Sequence, residues 1–190
     1  MTPSAVAPAL TTDELLAMPQ DGMDRWLIRG QLREKPRTVR NRWHSRVTAR
    51  LSQLLGNWLD QQPAPRGEIH DGEAGVRLGR DPDTTVGIDV IYIGPELAAK
   101  ESKDTRLIDG VPILAVEILS PNDTEEETNE KIATYLEAGV RLVWIVDAHY
   151  RTVLVYRPDA EPVLFNVQQE LSAEPHLPGF RVPVAQIFSR

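Results

Sequence analysis

From Trp43 to Gln61, Val47, Leu51, Leu54, Leu55 and Trp58 recur at three- and four-residue steps. One apolar stripe at that spacing predicts a helix lying on a core, and Pro63-Ala64-Pro65 ends it. A second periodic segment runs from about Glu125 to Ala138, with Ile132, Tyr135 and Leu136 turned inward and Gly139 as its stop. Three other segments have no helical period and almost no polar residue. Val86 to Ile93 is interrupted only by Gly87 and Asp89, Ile113 to Leu119 only by Glu117, and Leu142 to Val146 by nothing. Such runs read as strands buried on both faces.

Weaker patterns flank these. Thr12 to Leu16 reads as a capped helical turn stopped by Pro19, and Trp26 to Leu32 as a short strand kinked at Gly30. Glu68 to Leu78 reads as two short strands around Gly72 or Gly75, and Thr152 to Tyr156 with Val163 to Val167 as a hairpin or meander. The tail from Pro178 to Phe188 reads as a strand and one helical turn. Helices and strands in this mixed order predict an α/β fold of the α+β kind, a mixed sheet with helices on its faces. The small, Pro-rich residues 1–11 are expected to form a flexible arm, and residues 12–190 a single domain.

Composition narrows the function classes. With 41% hydrophobic residues in a chain of 190, wholesale disorder is excluded. The chain has no cysteine, which removes disulfides, thiol nucleophiles and thiolate metal sites, and fits a cytoplasmic location. No apolar run reaches the ~18 residues of a membrane span, so no membrane partner is expected. The formal charge of −7 argues against a general polyanion binder. It does not exclude a local basic groove. Arg33, Lys35, Arg37, Arg40, Arg42, Arg46 and Arg50 face a single acid, Glu34, between positions 33 and 50. These cations can contact phosphates, or merely coat a solvated loop and helix face. Trp43 beside them can stack on a base or pack at the helix start, and His44 suits a polar hydrogen bond better than a metal.

Two acids stand out by their neighbours. Asp89 interrupts one buried run and Glu117 another. An ionised carboxylate there is costly unless paired or bound to a metal. A partner arginine or a water-facing strand end would satisfy either acid alone. Two on neighbouring central strands can instead converge into a hard oxygen site suited to Mg²⁺. Lys131 stands four residues before Tyr135, at the border of the second helix's stripe. From there its amine can lean over the strand end, although a snorkelling surface lysine fits the same periodicity. No phosphate-binding Gly-rich loop, dinucleotide fingerprint or serine-nucleophile elbow is present.

Several pieces in order then carry a resemblance: TTDELLAMP, Gly30-Gln31-Leu32, His44, IDV around Asp89, AVEILSPND from Ala115 to Asp123, KIATYLEAGVRLVWIVD from Lys131 to Asp147, VYRP, and LPGFRVPVAQIF. From about Thr12 to Phe188 the chain resembles the Uma-type restriction-endonuclease family, a branch of the PD-(D/E)XK nuclease superfamily. The resemblance implies a restriction-endonuclease-like core with flanking helices. It implies that Asp89 and Glu117 hold Mg²⁺ or Mn²⁺, with the backbone carbonyl of Ile118 as a further ligand. Lys131 matches a lysine moved from its usual place two residues after the acid, where Leu119 stands, to the next helix.

The function this implies is Mg²⁺-dependent hydrolysis of DNA phosphodiester bonds by Asp89, Glu117 and Lys131. Arg37, Arg40, Arg42 and Arg46 are then the candidates for DNA contact. By analogy, cutting both strands of a duplex implies a homodimer. The rival expectation is a nuclease-fold nucleic-acid-binding or structural protein with impaired catalysis. It rests on Trp26, which stands where the family usually has a glutamate in the first strand, and less on Ile88, where the family usually has proline.

Overall fold

The computed structural model describes residues 8–37, 41–100 and 105–189. Its elements, in chain order, are Thr12–Ala17 (α1), Met23–Ile28 (β1), Gln31–Pro36 (β2), Arg42–Leu59 (α2), Glu68–Gly79 (β3), Thr84–Ile93 (β4), Pro95–Ala98 (α3) and Ile108–Asp109 (β5). Then follow Leu114–Ile118 (β6), Glu125–Ala138 (α4), Leu142–Asp147 (β7), Thr152–Arg157 (β8), Ala160–Asn166 (β9), Glu170–Ser172 (β10), Arg181–Pro183 (β11) and Val184–Ile187 (α5). The mixed sheet with flanking helices matches the predicted class.

The three apolar runs are its centre. β6 and β7 are parallel, with Leu114 opposite Leu142 and Ile118 opposite Val146. Parallel neighbours need a crossover, and α4 supplies it. Thr124 and Glu127 close a capping box at its start, and Gly139 ends it at φ 101°, in the left-handed region glycine tolerates. β8 and β9 extend this side antiparallel. On one face α2 packs Val47, Leu51, Leu54, Leu55 and Trp58 against the sheet, sealed by Phe180 and Val182 of the tail. On the other, α4 packs Ile132 and Tyr135 against Ile88, Ile91, Ala115, Val143 and Ile145.

Two local readings need correction. Gly30 does not kink a single strand. Arg29 and Gly30, at φ 51° and 72°, form the two-residue turn of the β1–β2 hairpin, since only turns with positive φ match the strand twist. Glu68–Gly79 is one strand, not two. Gly72 and Glu73, both at positive φ, make a bulge between Asp71 and Ala74 that bends it without ending the pairing. At the other end of the chain Leu10 donates its N–H to the Gly30 carbonyl, and Thr11 rather than Thr12 caps α1. No helix among the described residues is long and apolar enough to cross a membrane.

β4 positions the site. One edge pairs with β3 along most of its length. The other is shared: β1 meets it at Thr85, and β6 takes it from Val90 to Tyr92. Residues 86–89 lie between these partners, where the sheet divides into two arms. Thr12 ties α1 to the β1 side of this division, donating its N–H to Asp83 Oδ2 (2.7 Å) and sharing a hydroxyl contact with Thr85 (2.7 Å).

Candidate active site

The β4–β6 register, Val90 opposite Val116, sets Asp89 across from Glu117. The backbone ladder stops one residue short of that pair. In its place the Ile118 N–H donates to Asp89 Oδ2 at 2.8 Å. Asp89 and Glu117 are 5% and 9% exposed, and both line one cleft of about 330 Å³ together with Ile118, Lys131 and Trp26.

Both covering layers contribute to the floor of this cleft. Lys131 and Tyr135, one turn apart on α4, reach Glu117 from one face. Lys131 Nζ donates to Oε2 at 2.7 Å, and the Tyr135 hydroxyl to Oε1 at 2.5 Å. His44, in the first turn of α2, comes from the opposite face and sets Nε2 3.1 Å from Asp89 Oδ1. That contact is close enough for an ion pair, but the ring N–H does not point along it as in a well-directed hydrogen bond. Asn41 caps the helix at this end by accepting the N–H groups of Trp43 and His44, both at 2.9 Å.

The electrostatics differ between the two acids. Burial and Lys131 pull the Glu117 carboxyl in opposite directions, Asp89 adds repulsion, and the net pKa lies above the ordinary carboxylate value. Burial pushes Asp89 up as well, but His44, the Ile118 N–H and Lys131 outweigh it and hold its pKa low. For Lys131 burial favours loss of the proton, and Glu117 and Asp89 more than offset it, so the ammonium persists. Burial beside Glu117 keeps Tyr135 a phenol that can only donate to that carboxylate.

The structure therefore brings Asp89, Glu117, Ile118 and Lys131 together. Of the four basic candidates, the three among the described residues are not gathered there as free cations. Arg37 lines the cleft but is paired with Asp24 at 2.7 Å. Arg42 and Arg46 lie outside it, their guanidinium groups 4.7 and 5.6 Å from the centre of the half-exposed Trp43 ring. Arg40 lies outside the described residues. Of the other cations in the cluster, Arg33 pairs with Glu130 (2.6 Å) and Lys35 with Asp123 (3.0 Å), which joins the hairpin to α4. In the sequence pattern Tyr135 reads as core alone, and nothing marks Arg106, which stands at the cleft wall. The border position of Lys131 was the available signal for Tyr135, because residues four apart share a helix face.

The donor set can be tested against a divalent cation. Among the described residues no three His, Cys, Asp or Glu side chains converge as a ready metal cage. Mg²⁺ does not require one. It is commonly held by one or two carboxylates, with water and substrate phosphate completing its octahedron. Asp89 Oδ2 and both Glu117 oxygens each accept one hydrogen bond and keep a second lone pair, and Asp89 Oδ1 has only the contact with His44. A cation would also relieve the repulsion between the two buried acids, so the residues fit.

The crystal structure of a putative nuclease belonging to DUF820 from Anabaena variabilis ATCC 29413 superposes with a TM-score of 0.77 at 20% identity, covering 94% of this chain and 97% of that one. That likeness shows a shared fold. No curated protein matches the sequence. The family model Uma2, described as "Putative restriction endonuclease", matches residues 12–185, and the chain belongs to that family.

Proposed function

We propose that this protein is a divalent-metal-dependent nuclease that hydrolyses the phosphodiester bonds of DNA. The observation that carries this reading is the meeting of Asp89 and Glu117 one residue beyond the last rung of the β4–β6 ladder, with the Lys131 amine on Glu117. Asp89, Glu117 and the Ile118 carbonyl are the groups that would hold Mg²⁺ or Mn²⁺. When bound, that ion supplies an activated water and neutralises phosphate charge.

The chain's own residues divide the remaining work. A water oxygen adds to phosphorus and the bond from phosphorus to one sugar oxygen breaks. One water proton ends on the leaving oxygen and the other passes to solvent. Lys131, held on Glu117 at 2.7 Å, is placed to donate a hydrogen bond to the charge that grows on the phosphoryl oxygens. Tyr135 holds the Glu117 carboxylate in one orientation. His44 and the Ile118 N–H do the same for Asp89.

The test is hydrolysis of DNA by the full chain with Mg²⁺, without it, and by Asp89→Ala. Cleavage that needs both the metal and Asp89 supports the reading, and no cleavage by the wild type under any divalent cation overturns it. A second reading, a protein that binds nucleic acid without cutting it, draws on Trp26, whose indole stands at the cleft wall. Binding by wild type and Asp89→Ala alike, with no cleavage by either, would favour it.

A further inference from the structure

We propose that the cleft accepts an unpaired nucleic-acid strand, with one nucleotide seated at the floor and Arg106 on a flanking phosphate. This rests on the nuclease reading and names its substrate class. Three observations converge on it.

The first is depth. The side chains of Asp89 and Glu117 are 7% and 11% exposed, and that of Lys131 24%. The space above them, about 330 Å³, lies at the small end of pockets built for single small ligands, about 300–1,000 Å³. A phosphate in a duplex sits on a stiff cylinder with a persistence length of about 50 nm. To bring it to this floor the strand must leave the stack, which costs a few kcal/mol and is cheapest where the strand is already single.

The second is the wall. Leu15, Met18, Met23, Trp26 and Leu107 stand around the cleft. An apolar and aromatic wall offers contact to the faces of bases, and only unpaired bases present their faces. The third is charge. Arg25 is bound to Asp21 and Glu34, Lys35 to Asp123, Arg37 to Asp24 and Lys131 to Glu117. Arg106 is exposed and, among the described residues, has no carboxylate in ion-pair reach. Duplex-binding surfaces commonly neutralise about 6–10 phosphates. Among the described residues that line this cleft, Arg106 is the one guanidinium without such a partner, which suits a short strand segment. A single strand also needs one reaction centre, so this substrate does not require two copies of the chain.

The experiment measures binding of labelled single-stranded, fully paired and overhang-bearing oligonucleotides of one sequence to the full chain without divalent cation, and their hydrolysis with Mg²⁺. DNA and RNA versions separate the two sources of the same phosphodiester chemistry. Single strands and overhangs are expected to bind and react about tenfold or more better than the paired form, the equivalent of one stacked base. Arg106→Ala is expected to weaken single-strand binding severalfold with an unchanged circular dichroism spectrum, and Arg106→Lys to recover part of it. Equal or better use of the duplex overturns the proposal, as does an Arg106→Ala protein that binds single strands like wild type. Duplex cleavage that Asp89→Asn abolishes removes this proposal and leaves the nuclease reading standing. No binding and no hydrolysis of any form removes both.

Discussion

Two carboxylates in this molecule sit beside cations and respond in opposite ways. Asp109, on the surface, takes Arg77 at 2.7 Å and is also paired with Arg80. Those contacts bring its pKa down to about 2. Glu117 takes Lys131 at the same 2.7 Å, yet its pKa rises. The pairing distance is equal and the surroundings are not. Asp109 is half-exposed, whereas Glu117 is sealed between β6, α4 and the cleft floor with Asp89 opposite. Desolvation and like charge win there, which is how a protein holds a carboxylate that fares better with a cation than without one.

The comparison breaks most sharply through chemistry. Glu117→Gln is expected to lower Mg²⁺-dependent hydrolysis by about a thousandfold or more, on the order of 4 kcal/mol of transition-state stabilisation. Asp109→Asn should leave turnover unchanged. Single-turnover rates on one DNA substrate check both, and a Glu117→Gln protein within tenfold of wild type would end the assignment.

A smaller effect tests how Glu117 is held. Tyr135→Phe removes a buried donor to a charged acceptor, a bond worth about 1.5–3 kcal/mol. Mg²⁺ affinity by calorimetry and the maximal rate should both fall, roughly tenfold to a hundredfold, with KM little changed. A uniform loss of stability with normal metal affinity would mean that the hydroxyl serves packing alone.

The smallest effect lies in pH, and the two acids have opposite signs. The depressed pKa of Asp109 means that its contribution is present above the unfolded value near 3.8 and is lost as pH falls toward 2. Solvent screening at this exposure limits it to less than about 1 kcal/mol. Glu117, with a raised pKa, binds more protons folded than unfolded. It therefore costs stability above its folded pKa and is relieved as pH falls through that value. Denaturation midpoints between pH 2 and 7 should show Asp109→Asn losing its penalty at the acid end, and Glu117→Gln flattening the opposing slope.

Much of this site was legible before any coordinates. β4, β6 and α4 announce themselves because a lone acid in an apolar run and a four-residue period are local signals. Asp89 and Glu117 follow from them, whereas the period of α4 fits a surface lysine at Lys131 equally well and the family resemblance singled it out. What escaped reading depends on distant partners. Nothing near Arg33 or Lys35 indicates that Glu130 and Asp123, far along the chain, will occupy them. Tyr135 shows its ring in the sequence pattern and hides where its hydroxyl goes. The bulge at Gly72 and Glu73 resembled a chain break because pairing across β4 is invisible locally.

Ile132 and Tyr135 anchor α4 in the core while Lys131, one peptide from Ile132, carries the amine. Any change that rolls or slides this helix moves the amine with it. Screens for lost hydrolysis should therefore recover oily interior positions as readily as charged ones, and raising the proposed activity without disturbing the architecture will be difficult along this segment.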